Sequence, residues 1–166
     1  MERSPYLKPT RLNDLLAAIQ TTGLHEKYRH TAKEWALLIS GNDRDPNYWA
    51  EIFREHPEFF RKATGFEGEG QYALILRRAS ARRYSKGLTR LVNDEEFTNL
   101  STEDQKKLLH APVSEGQLKL LMDAAVSLHK NALEASRDWR WWVAPVLAFI
   151  ASFGGTLLAI WFKSLK

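Results

Sequence analysis

The sequence predicts a mainly α chain with one small β-hairpin: a winged helix-turn-helix-like domain, a long helical stalk and a single C-terminal transmembrane helix. Three observations predict this. Short amphipathic repeats with caps and breakers fill residues 10–57. The apolar period then switches to two around a glycine-rich turn. Finally, no charged residue occurs from Trp141 to Phe162 in a chain that is 27% charged. The expected segments are an N-terminal tail (1–9), the winged-helix-like domain (10–92), a helical connector and stalk (93–138), the transmembrane helix (139–163) and a C-terminal tail (164–166).

Leu12, Leu15, Leu16 and Ile19 recur at helical spacing, with Thr10 as a cap and Gly23 as a stop. Thr31 and Glu34 form a capping box, in which each end satisfies the other's orphan amide, and it opens a second helix with Trp35, Leu38 and Ile39 on one face. Asp45-Pro46 starts a third helix, which turns Trp49, Ile52 and Phe53 inward and ends near His56-Pro57. Next, Tyr72, Leu74 and Leu76 alternate with Ala73, Ile75 and Arg77 behind Gly65, Gly68 and Gly70, which reads as a hairpin. Three helices followed by a hairpin is the order of a winged helix-turn-helix.

The stretches RLNDLLAAIQ, YWAEIFREHPEFFR, LILRR and the later WRWW resemble a family of small bacterial membrane proteins. That family has a winged-helix-like front, a C-terminal membrane segment and no assigned activity. The resemblance implies bacterial origin and this architecture. It carries no catalytic motif.

Ser101 to Asp104 caps a short helix before Pro112, and Ser114 to Gln117 forms another capping box. From there Leu118, Leu121, Ala125 and Leu128, followed by Ala132, Ala135, Trp139 and Trp142, alternate spacings of three and four. This is the seam of a left-handed coiled coil, and it predicts self-association of the stalk. The off-seam Met122 and Val126 leave open that part of the stripe packs on the domain itself.

Twenty-two uncharged residues rise about 33 Å as a helix, against a hydrocarbon core of about 30 Å. Trp139, Trp141 and Trp142 at one end and Trp161 at the other suit the two membrane interfaces. Within the segment Ala151, Gly155 and Ala159 recur every four residues, a ridge that lets helices approach closely in lipid. Pro145 lacks an amide for Trp141 and marks a kink or a new start. With only four residues after Phe162 and no signal-type N-terminus, the expectation is a tail-anchored protein in the bacterial inner membrane, its N-terminal domain cytoplasmic.

The sequence carries no catalytic constellation. There is no cysteine, which removes disulfides and thiolate sites. HEKYRH (25–30) is one residue too long for a zinc-protease motif, and on one helix His25 and His30 diverge by about 140°. GFEGEG joins two strands and carries two carboxylates, unlike a phosphate-binding loop. No catalytic residue, metal or cofactor is expected. The net charge of +4 is concentrated, with eight cations against two anions in residues 61–90. Arg77, Arg78, Arg82 and Arg83 form the dense part, a candidate contact for nucleic-acid or lipid phosphates.

Three functions remain open from the sequence. The first is a non-enzymatic membrane-displayed interaction module, self-associating through stalk and span, with a protein partner of unknown identity. The second is a membrane-tethered nucleic-acid-binding protein, and the third an oligomeric membrane effector of a bacterial defence or stress response.

Overall fold

The computed structural model describes residues 4–41, 45–64 and 70–164, and the side chains of 64, 138–142, 144 and 151–164 lie outside that description. A short 3-10 turn (Pro5–Leu7) leads into α1 (Arg11–Leu24). Thr10 does not cap α1 through its side chain. Its backbone is left-handed (φ 60°), and its hydroxyl donates to Asp14 Oδ2 at 2.8 Å. Gly23 does not stop α1 either. It lies inside the last turn, where a Cβ would sit 2.8 Å from Val113 Cγ2, so glycine here permits a close approach.

After β1 (Arg29–Thr31), α2 (Ala32–Ser40) opens on the expected box. Glu34 N–H donates to Thr31 Oγ1, and Thr31 N–H donates to the Glu34 carboxylate at 2.8 Å. Gly41, left-handed at φ 63°, ends it. α3 (Pro46–Glu55) is capped by Asp45, which accepts from Tyr48 N–H at 3.0 Å. The antiparallel strands β2 (Phe60–Thr64) and β3 (Gly70–Leu74) follow, with sheet order β1–β3–β2. Leu15, Ile19, Trp35, Ile52, Phe53, Phe60 and Leu74 make the buried centre. Trp35 Nε1 donates to Tyr72 O at 2.9 Å, and Phe53 stacks on Tyr72 with centroids 4.9 Å apart. These contacts lock the helices onto the sheet. Leu38, expected inward, is exposed.

The expected single hairpin is corrected by a second sheet. β3 ends at Leu74, and Ile75–Ala79 form a short α4, so Leu76 and Arg77 belong to no strand. Residues 80–97 hold β4 (Arg82–Ser85), β5 (Arg90–Leu91) and the start of α5 (Asp94–Asn99); the short helix expected after Ser101 follows as α6 (Thr102–Lys107), and then β6 (Leu109–His110). The strands pair antiparallel in the order β5–β4–β6. Asn93 and Glu96 make a full capping box for α5, and Ser101 caps α6 through Asp104 N–H.

α7 (Glu115–Ser164) is one helix of 50 residues that runs through Pro145 without ending. Its length is about 75 Å. It lies antiparallel along α1 and the 3-10 turn, since Leu118 reaches Gly23 while His129 Nδ1 meets Tyr6 O at 2.9 Å.

The transmembrane expectation for 139–163 is corrected here. Among the described residues no helix is long and apolar enough to cross a membrane. The segment is no separate span but the distal part of α7, whose earlier turns carry Glu115, Lys119, Asp123, Lys130 and Glu134. The tail-anchored arrangement, the bilayer as partner and the cytoplasmic placement of the N-terminal domain are withdrawn with it. The chain is mostly helical with two small antiparallel three-stranded sheets among its described residues.

Candidate functional site

The four arginines expected to meet phosphates do not form one surface. Arg77 is wholly buried, with all five guanidinium N–H groups donated to backbone carbonyls. Nε reaches Ala111 O at 3.0 Å, Nη1 reaches Thr22 O at 3.0 Å and also His25 O, and Nη2 reaches Glu26 O at 3.1 Å and His110 O at 3.0 Å. Burial without a carboxylate partner lowers its pKa to about 10. Arg77 therefore ties the end of α1 to the segment entering α7 and is closed to any phosphate. Arg82 donates to Leu108 O at 3.2 Å and Lys106 O at 3.0 Å, holding β4 to the end of α6. Arg83 bonds Asp94 and lies 4.6 Å above the Phe97 ring. Only Arg78 is left exposed on α4 without a partner among the described residues. The local charge excess is real, but folding has assigned most of it to internal bonds.

The predicted stalk seam is likewise consumed within the chain. Ala125 is fully buried, and Leu118, Leu121, Met122 and Ala132 pack against the core beneath α1. Leu128 is at the margin, with 37% of its surface exposed. A coiled-coil partner cannot occupy the side of α7 that α1 already covers. The expected ridge of Ala151, Gly155 and Ala159 and the interfacial Trp139, Trp141, Trp142 and Trp161 lie outside the described side chains.

Beyond Ala132 α7 leaves the body, and its described large apolar side chains are all exposed there. Val143 (38%), Val146 (51%), Leu147 (60%) and Ile150 (61%) stand at i, i+3, i+4 and i+7, so they form one stripe. Phe149 is exposed to one side of it, while Pro145 and Ala148 lie on the opposite side. This stripe was hidden within the uniformly apolar run, where every residue looks alike until the proximal face is assigned.

Two further surfaces escaped the sequence reading. The β4–β5 hairpin exposes Leu88 and Leu91 beside a cleft of about 640 Å³, floored by Val92, Leu100 and Leu108. The alternation in RRYSKGLTRLV around Lys86-Gly87 was the available signal. At the end of α1, His25 Nδ1 lies 3.2 Å from His30 Nε2, and His30 Nδ1 lies 3.3 Å from Glu34 Oε2. Trp35 meets both rings edge-on at 5.7 and 4.7 Å. Burial lowers the pKa of His30, opposed by Glu34. Among the described residues no group of three or more His, Asp or Glu side chains converges as a metal cage.

A different polar cluster sits under the N-terminal turn. Tyr6 Oη and His56 Nδ1 both contact Glu58 Oε1, the latter at 3.0 Å, and burial lowers the pKa of His56. Arg11, also buried, meets Glu55 Oε2 at 2.9 Å, and Lys8 bridges Glu51 and Glu55. These contacts fasten the turn to α3 and neutralise the acidic residues along its exposed side.

No protein-family model matches the chain, and no curated protein and no solved structure gives a significant match. The bacterial family suggested by the sequence gains no support from these comparisons, so the chain is assigned to no family.

Proposed function

We propose that this is a non-enzymatic interaction protein that self-associates through the distal half of α7 and so displays several copies of its N-terminal domain. The observation that carries the reading is the stripe of Val143, Val146, Leu147 and Ile150, left exposed on α7 beyond the turns that pack on the body. A lone helix gains most of its stability from packing an apolar face, and a second copy brings an identical stripe to every encounter. The proximal face is already occupied by α1, so pairing is confined to the distal half and leaves the domains outside the contact.

Nucleic-acid binding through the arginine cluster is the weaker reading. Of the four arginines only Arg78 keeps a free guanidinium among the described residues, and one contact gives little salt-sensitive affinity.

Cysteine cross-linking tests the proposal cleanly, because the chain has no cysteine of its own. Leu147→Cys and Ile150→Cys chains should form disulfide-linked dimers on mild oxidation in the cell. Ala148→Cys, which lies on the opposite side of the same turn, should not. Equal cross-linking at 147 and 148, or none at 147 and 150, overturns the self-association reading.

A further inference from the structure

The covered proximal face of α7 and its exposed distal stripe are one face. At 3.6 residues per turn, eighteen residues make five whole turns, and α7 runs unbroken through Pro145. Val143 therefore stands in line with Ala125, and Ile150 in line with Ala132, eighteen positions back in each case. Ala125 is fully buried, and Ala132 packs against the same core, on the side where α1 and the 3-10 turn lie. One apolar face thus continues along α7 to Ile150. Its proximal part is covered by the chain's own body, and its distal part projects past that body on the same side.

This placement decides how two copies can meet. Helices that pack along their length run about 8–10 Å apart. If two copies ran parallel, both bodies would stand between the two proximal halves, in that same gap. A domain of about 100 residues has a radius of gyration of about 13 Å, so the gap holds neither body. If they run antiparallel, the bodies move to opposite ends. The arm beyond the packed turns, residues 133–164, is about 48 Å long. Its midpoint lies between residues 148 and 149, inside the exposed stripe. A two-fold axis there sets Leu147 against Ile150 of the second copy. It also brings Ala132 of the second copy level with position 165, one residue past the end of α7 at Ser164. Each body therefore begins where the other copy's helix stops.

We propose that α7 pairs antiparallel with a second copy, an inference that rests on the self-association proposed above. The dimer is then a strut. Measured between the two copies of Ala125, it holds the N-terminal domains about 70 Å apart along the axis. Such an arrangement bridges two partners, one at each end, and does not gather adjacent domains onto one.

Single-cysteine full-length chains, oxidised mildly in the cell, read the direction, since the chain has no cysteine of its own. A disulfide needs Cα atoms within about 7 Å. In the antiparallel pair two copies of residue 147, or of residue 150, are offset along the axis by about 4.5 Å, and two copies of residue 143 by about 16.5 Å. Leu147→Cys should therefore form dimers and Val143→Cys alone should not. Val143→Cys co-expressed with a size-tagged Gly154→Cys chain should form the mixed dimer, because those two positions stand opposite each other. A parallel pair would cross-link Val143→Cys as readily as Leu147→Cys and would give no mixed dimer. Either of those results, with Leu147→Cys still dimeric, overturns the strut and leaves self-association standing. Silence at both 147 and 150 overturns self-association itself, and the strut with it.

Discussion

Replacing Arg77 with alanine should unfold a large share of what holds this chain together, although it removes no ion pair. The guanidinium uses every N–H it has, and its five carbonyl partners lie on the end of α1, on the turn after it and on residues 110–111. Without it those carbonyls lose their donor, at about 1–3 kcal/mol for each that water cannot reach. Some lie near the surface and regain water, so the net loss expected is about 3–5 kcal/mol, against a typical domain stability of 5–15 kcal/mol. Arg77→Lys keeps the charge but offers three donors from one point instead of a planar fork, and should recover less than half of the loss. Urea denaturation of each full-length variant, followed by far-ultraviolet circular dichroism, measures this directly. An Arg77→Ala midpoint equivalent to within about 0.5 kcal/mol of the parent, the scale of an ordinary surface change, would refute the buried-tie account and return Arg77 to the candidate phosphate ligands.

Gly23→Ala raises helix propensity by nearly 1 kcal/mol but drives a methyl to 2.8 Å from Val113 Cγ2; overpacking of about 1–3 kcal/mol should win, and a more stable variant would contradict the close approach. Acid should destabilise the fold before any carboxylate titrates. Burial lowers the pKa of His30, His56 and His110, so the unfolded chain binds more protons. Stability should therefore hold above pH ~6.5 and decline as pH falls from there through the depressed folded values; a midpoint flat from pH 8 to 5 would refute this. Ala125→Leu separates two uses of the α7 face. Leucine should strengthen an intermolecular coiled-coil seam, but at this fully buried contact with the body it should cost about 1–3 kcal/mol at every chain concentration.

Elements with a local chemical signature were legible in the sequence. Thr31 with Glu34, and Asp45 before Pro46, mark helix starts through bonds made within four residues, and both starts are found where those residues stand. What failed was anything decided by a distant neighbour. Gly23 reads as a stop because glycine often ends helices, yet here it answers to Val113, ninety residues along the chain. β1 and β6 are three and two residues long and owe their existence to β3 and β4, some thirty to forty residues away, so no short window of sequence contains them. The seam of Leu118, Leu121 and Ala125 was visible as an apolar face, but periodicity says only that a face is covered. It does not say whether α1 or another chain covers it.

The candidate sites show the same division at the level of single side chains. An arginine count measures charge, and charge attracts phosphate only while it remains unspent; Arg77, Arg82 and Arg83 spend theirs on Thr22, Leu108 and Asp94. His25 and His30 show the converse in geometry, because their rings meet at 3.2 Å. The wheel angle that separated them presumes that α1 runs on through residue 30, whereas the helix ends at Leu24 and β1 pairs His30 with Tyr72 in the sheet. That pairing places His30 over Trp35, and the four-residue turn before Arg29 then has only enough chain to bring His25 back against it. Helical angles exclude a shared site only where the helix is continuous between the two residues. Where a turn intervenes, histidines five apart can converge more tightly than any helical spacing allows.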